Sequence, residues 1–181
     1  MEYFEVFNAN GTPANRTEER GIVHARGLWH RTVHVWLYRC PHALLFQKRG
    51  KNKDSHPGLW DVSAAGHMEV GEDPEQAAVR EVKEELGFAI NTELLEYIET
   101  TSRTMVSNSG TFIDNEFSFV YLYKFTGQQS ELSPYPEELD EIRFMEICEL
   151  RNMLDSEEEH KKFVPYDRSY YDSIISLVER R

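Results

Sequence analysis

The stretch GHMEVGEDPEQAAVREVKEELGF, residues 66–88, limits the fold most, because both ends of a helix are written into it. Asp73 is a good N-cap, and Pro74 suits the first helical position with its fixed φ and missing N–H. Gln76 stands where a capping box wants Glu or Gln. Gly87 supplies the stop, since glycine enters the left-handed conformation without steric cost. At about 100° per residue, Ala78, Val79, Val82 and Leu86 line one arc, and that arc needs a core to cover it. Glu81, Glu84 and Glu85 fall together on another arc, at i, i+3 and i+4. Like charges at this spacing repel by about 0.2–0.5 kcal/mol per pair. A helix chosen only for solubility would alternate Glu with Lys, yet only Arg80 and Lys83 are at hand, Arg80 one turn before Glu84. Hard oxygen ligands massed without enough counter-charge suit Mg²⁺ or Mn²⁺. Spacing alone leaves open both a metal site and a merely solvated acidic face.

The rest of the chain reads as strands first and helices late. Residues 2–7 alternate loosely before the turn cluster NANGTP, as an edge strand would; residues 14–27 are polar and give little signal. TVHVWLYR and ALLFQKR, split by Cys40, Pro41 and His42, read as a hairpin. KNKDSHPG is a charged loop, and LWDVSAAG a short strand running into the helix segment. LLEYIETTSR, EFSFVYLYKF and ELDEIRFMEI favour pleated structure. A short helix is expected near residues 148–154 and a last one over roughly 167–180, where Tyr170, Ile174, Ile175 and Val178 recur at helical spacing. The pattern predicts a single mixed α/β domain over 1–181: an N-terminal strand and polar extension at 1–28, a core at 29–163 and a C-terminal helix at 164–181.

A net charge of −12 argues against binding a nucleic acid polymer, which requires a basic face. Cys40 and Cys148 make neither a disulfide framework nor a metal-ligand spacing, which suits a reducing cytoplasm. The start shows no basic region followed by an apolar run, so no signal peptide is expected. No apolar stretch approaches the roughly 18 residues that cross a membrane. An N-terminal edge strand could pair across a homodimer.

Residues 66–88 resemble the Nudix box of the Nudix hydrolases. Its pattern is Gly, five residues, Glu, seven residues, Arg-Glu, an apolar residue, one residue, Glu-Glu, one residue, Gly and an apolar residue. Gly66, Glu72, Arg80, Glu81, Val82, Glu84, Glu85, Gly87 and Phe88 fill every position. The resemblance implies an α+β fold, a mixed β-sheet sandwiched between helices, with the box as loop–helix–loop. It implies hydrolysis of a small-molecule diphosphate by water attack at phosphorus, with Mg²⁺ or Mn²⁺ neutralising charge and lowering the pKa of water. Carried over, Glu81, Glu84 and Glu85 are metal ligands and catalytic groups, oriented by Arg80. Glu72 joins a second metal or shapes the loop, and the Gly66 carbonyl reaches the metal.

WHRTVHVWLY, LLFQKRGKNKDSHPGLWD and SAAGHMEVGE further resemble the branch containing type 1 isopentenyl-diphosphate isomerase. That likeness implies metal-binding positions at His30, His67, Asp114 and Glu116, and diphosphate-binding positions at Arg49 and Lys53. We place His67 and Glu116 with the metal, and His30, Arg49 and Lys53 with the substrate. The isomerase has Cys where this chain has Ala65, and its own box is degraded. Alanine can neither give nor take a proton, so hydrolysis is expected over isomerisation. A catalytically silent nucleotide-binding module is the further alternative, and the complete box speaks against it. Without the likeness, His24, His30 and His34 read as ordinary surface or core histidines, since their spacings straddle a loop and a strand. The basic residues Lys48, Arg49, Lys51 and Lys53 read either as a solvated loop or as a phosphate contact.

Overall fold

The computed structural model describes residues 2–181. A long central strand, β3 (Trp29–Arg39), organises everything else. It pairs in parallel with β8 (Phe112–Lys124) over ten residues, from Trp29 opposite Asn115 to Tyr38 opposite Lys124. β7 (Leu95–Ser107) lies antiparallel on the outside of β8. On its other side β3 has two neighbours in turn. Thr32–Val35 pair with β6 (Ala64–His67), and Tyr38–Arg39 pair with β4 (Ala43–Arg49). β4 in turn carries β9 (Leu139–Glu146) and the two-residue β5 (Trp60–Asp61). β1 (Tyr3–Phe7) and β2 (Pro13–Glu19) form a hairpin that touches β3 at Phe7 and Trp29.

The sheet is covered on both faces, which is why β3, β4 and the end of β8 read as nearly continuous apolar runs. One face buries Trp36, Phe46, Val120, Leu122 and Met145 against helices α3 (Ile147–Asp155) and α5 (Arg168–Val178). The other buries Val33, Val35, Leu37 and Tyr121 against helix α2 (Pro74–Leu86). A short α1 (Arg20–Arg26) precedes β3, and a single turn, α4 (Glu157–His160), links α3 to α5. The result is the mixed sheet between helices that the sequence led us to expect. Among the described residues no helix is long and apolar enough to cross a membrane.

α2 follows the local rules in its sequence. Asp73 Oδ1 accepts from Gln76 N at 2.9 Å, the Gln76 side chain accepts from Asp73 N at 3.3 Å, and Gly87 takes φ 65°. Two segments differ from the expectation. LWDVSAAG is not one strand but two, because Ser63 interrupts it. The Ser63 hydroxyl accepts from Leu37 N at 2.8 Å and donates to Leu45 O at 2.6 Å, bridging β3 and β4 where they diverge. Residues 14–27, silent in the sequence, supply most of β2 and all of α1. β2 is exposed or half-exposed along its whole length, and α1 buries only Val23 and His24, so neither carries a readable period.

Candidate active site

Where β4 leaves β3, a cavity of about 920 Å³ opens, lined by the box acids, the inner ends of β3, β7 and β8, and the loop after β4. α2 reaches into it over β6. A Cβ on Gly66 would stand 2.1 Å from the Glu81 carboxylate. Glycine is required there by this close approach rather than by its backbone angles. Glu85 fills the gap between β6 and β4, and its Oε2 accepts from Ala65 N and from Gln47 Nε2, both at 3.0 Å. Glu81 and Glu85 are 8% and 6% exposed, whereas the Glu84 side chain is 58% exposed at the rim. The arc of three acids therefore divides into two buried groups and one wet one.

Arg80 ties the segment together. Nε and Nη2 donate to Glu72 at 2.9 Å each, Nη1 to Glu81 at 2.7 Å and Glu84 at 3.0 Å, and Nη2 also to His67 O at 2.9 Å. Glu72 accepts from Glu69 N as well, at 2.9 Å, so it shapes the loop. One guanidinium cannot neutralise three acids. Burial pushes Glu81 up to about 7 despite Arg80 beside it. Burial and the neighbouring Glu81 charge push Glu85 up to about 8. Two buried carboxylates short of positive charge are the donor set a hard divalent cation fits.

A second cluster adjoins the cavity and reaches it through His67 and Asp114. His24, His30, His67 and Asp114 each offer one ligand atom, and these atoms lie within 4.8 Å of one another. Sheet register assembles it. His30 stands opposite Glu116 on β8, and Thr32, two residues on, stands opposite His67 on β6. α1 brings His24 over the top. His24 Nδ1 lies 2.8 Å from Arg20 O and His30 Nδ1 3.0 Å from Leu28 O. A carbonyl only accepts, so both Nδ1 atoms carry protons and both Nε2 atoms turn inward. His30 Nε2 is 3.4 Å and His24 Nε2 3.6 Å from Asp114 Oδ1. These two nitrogens, His67 Nε2 and Asp114 Oδ1 are all buried without a hydrogen-bond partner. Burial opposes the charge on Asp114, but the two histidines hold it well below the usual carboxylate range. Convergent, unpartnered imidazole nitrogens and a carboxylate oxygen fit a divalent transition metal, with His24 and His30 fixed by outer carbonyls. Phe4 stacks on His67 at 4.4 Å between ring centroids, and Phe112 on His24 at 4.2 Å, keeping bulk water away.

The structure thus brings His24, His30, His67 and Asp114 together, although spacing alone read the first two as ordinary. Glu116 stands beside them, but its Oε2 accepts from Arg103 Nη2 on β7. His34 is a core histidine, buried and lowered to about 3 by burial and by Arg103. Arg103 only donates, so His34 Nε2, 3.1 Å away, accepts; Nδ1 then carries the proton and donates to the Tyr170 hydroxyl at 2.7 Å. Arg49 lines the cavity but spends Nη1 on buried Asp61 at 2.8 Å, and Tyr166 OH donates to the same carboxylate at 2.7 Å. Lys53 lines it too, paired with Glu138. Arg103 escaped the sequence reading because it sits in a strand that shows only pleated character. Counting outward from the turn Asn108–Gly110 would have found it, since that hairpin sets Arg103 opposite Glu116.

Against known proteins, a family model described as the NUDIX domain matches residues 28–167. The chain is 35% identical over 190 residues to Nudix hydrolase 3 of Arabidopsis thaliana; the match takes in 99% of this chain and 24% of that protein. It therefore spans about a quarter of that relative's length. It is 31% identical over 146 residues to isopentenyl-diphosphate Delta-isomerase of Streptomyces griseus, covering 81% of this chain and 72% of that one. Among solved structures, DR0079 from Deinococcus radiodurans superposes with a TM-score of 0.68 at 19% identity, over 99% of this chain and 98% of the other.

Proposed function

The chain belongs to the Nudix family, and from that premise we propose that it is a divalent-cation-dependent hydrolase of small organic diphosphates. The observation that carries this reading is the buried pair Glu81 and Glu85, held at the edge of β6 with too little positive charge around it. Glu81 and Glu85, with Glu84 from the rim, would hold Mg²⁺ or Mn²⁺, and His24, His30, His67 and Asp114 would hold a second cation. Such ions neutralise charge on phosphate oxygens and lower the pKa of water, so that water becomes a nucleophile near neutral pH. Water adds across the anhydride: its oxygen bonds to one phosphorus, and the bridging oxygen leaves with the other phosphate.

The protein's own groups arrange this. Arg80 holds Glu81 and Glu84 in place and keeps Glu72 folded against the loop. The Ala65 N–H and Gln47 amide hold Oε2 of Glu85 from behind, which leaves Oε1 for the cavity. Arg49 and Lys53 line the cavity from the loop side and would meet the diphosphate there. The likeness to an isomerase offers a second reading. Ala65 weighs against it: the methyl has no exchangeable proton, and its N–H is already given to Glu85.

One screen tests both. Nucleoside, sugar-nucleotide and isoprenoid diphosphates are incubated with Mg²⁺ and then Mn²⁺, with products read by mass. Release of phosphate or a monophosphate, abolished by Glu85→Gln, is expected. Failure to cleave any of them with either ion overturns the hydrolase, and interconversion of isopentenyl and dimethylallyl diphosphates would establish the isomerase.

A further inference from the structure

Resting on the diphosphate reading, the inner wall of the cavity bears on the group X attached to the diphosphate. Five cationic side chains line this cavity: Arg20, Arg49, Lys53, Arg80 and Arg103. Four are committed to partners around them. Arg20 pairs with Glu2 and Asp54, Arg49 with Asp61 and Ser55, Lys53 with Glu138, and Arg80 with the box. Arg103 is different. Among the described residues all of its hydrogen bonds run through Nη2, to Glu116 and to His34 Nε2. Nε is closed off from solvent, and Nη1, which has no partner either, is the donor left toward the cavity.

Nor is Arg103 free to turn elsewhere. Its guanidinium lies over the Tyr166 ring, 4.3 Å from the centroid, and Tyr166 is itself tied to Asp61. His34 is locked as an acceptor toward it by Tyr170, whose oxygen also takes Trp36 Nε1 at 3.0 Å. A hydrocarbon chain packed here would strip water from Nη1 and offer nothing in return. A site whose buried donor goes unmet discriminates far more strongly than one that merely lacks an apolar contact.

We infer that Arg103 sets the specificity for X, admitting a polar X that brings a hydrogen-bond acceptor to Nη1 and disfavouring a hydrocarbon X. The acceptor can be a carbonyl, a hydroxyl or a ring nitrogen; an alkyl or prenyl chain has none.

The test compares uncleavable methylene-bridged analogues of uridine, adenosine and glucose-linked uridine diphosphates with those of octyl and geranyl diphosphates. Binding is measured by calorimetry with Mg²⁺ present. The best polar analogue should bind at least about thirtyfold tighter than the best hydrocarbon one, the size expected for one unmet buried donor. Arg103→Met should bring the two within about threefold, chiefly by weakening the polar analogue. Arg103→Lys keeps the charge beside Glu116 but moves the donor, and should fall between. Because the result is a ratio, general damage to the fold cancels.

Equal or tighter binding of a hydrocarbon analogue by the unaltered protein overturns the inference. So does an unchanged ratio in both variants, or binding of neither class. The hydrolase reading stands or falls separately, on turnover of the cleavable diphosphates.

Discussion

The box acids line the cavity and the histidine cluster reaches it through His67 and Asp114, but the two are assembled by opposite means. Glu81, Glu84, Glu85, Arg80, Glu72 and Gly66 come from one contiguous segment; the capped helix sets the spacing of Arg80 and the three acids on it, and the short loop before it places Gly66 and Glu72. His24, His30, His67 and Asp114 come from α1, β3, β6 and β8, and the sheet register and the packing of α1 bring them together. The charge balance differs as well. The box is short of positive charge, with two acids forced toward their neutral forms. The cluster holds its single carboxylate ionised among three imidazoles. A local motif can thus keep its geometry while its electrostatics wait for a cation. The long-range cluster depends on the whole sheet being folded first.

The comparison breaks most sharply at Glu85. Glu85→Gln preserves an acceptor for Ala65 N but removes the charge. Turnover should fall by about a thousandfold, the loss of roughly 4 kcal/mol of transition-state stabilisation. The cation-free protein should melt at the same temperature or higher, because a buried like-charge contact with Glu81 is gone. A fall in both would mean that Glu85 is structural.

The cluster is probed by Asp114→Asn. It removes the only anion among the four ligand groups while changing little in volume. Cation stoichiometry by elemental analysis should drop by one per chain, and turnover by about ten- to a hundredfold. Unchanged stoichiometry would show that the three histidines and Asp114 serve packing alone, stacked between Phe4 and Phe112.

The same contrast explains what was legible beforehand. α2, its caps and its acidic arc follow rules that act within a few residues, so Asp73, Gln76, Glu81 and Gly87 could be assigned from the sequence. β3, β4 and β8 announced themselves by apolar runs. His24 and Arg103 could not be seen that way. His24 belongs to a seven-residue helix with almost no apolar face, and its partners lie far along the chain. Arg103 acquires its role only through a hairpin register that pairs it with Glu116. Ser63 splits a strand through bonds to residues on two others. In each case the missing information was tertiary, carried by which strand lies beside which.

Acidity sharpens the comparison further. The folded state holds protons on Glu81 and Glu85 more tightly than the ordinary value of 4.5. Their contribution to stability is complete below about pH 4.5 and is lost as pH rises through about 7 and then about 8. The cation-free protein should therefore melt several degrees lower at pH 8 than at pH 5.5. Added Mn²⁺ should restore more of the loss at the higher pH, where the acids are ionised and free to bind it. A cation effect equal at both values would contradict this.

The smallest effect is expected at Gln47, which touches no substrate. Its amide is one of two donors on Glu85 Oε2, and it is 1% exposed. Gln47→Leu keeps the volume and removes the donor, which costs about 1 kcal/mol of stabilisation of the charged form. Glu85 should then bind its proton more tightly, and half-saturation with Mn²⁺ at pH 7 should shift about fivefold upward. At pH 9, with Glu85 ionised in both proteins, the shift should shrink to within about twofold. A substitution that merely loosened the core would weaken cation binding equally at both pH values, because Gln47 would then act through packing and not through the carboxylate it supports. The cluster offers the control: cation binding there should not respond to Gln47→Leu at either pH, since none of its four ligand groups bonds to Gln47.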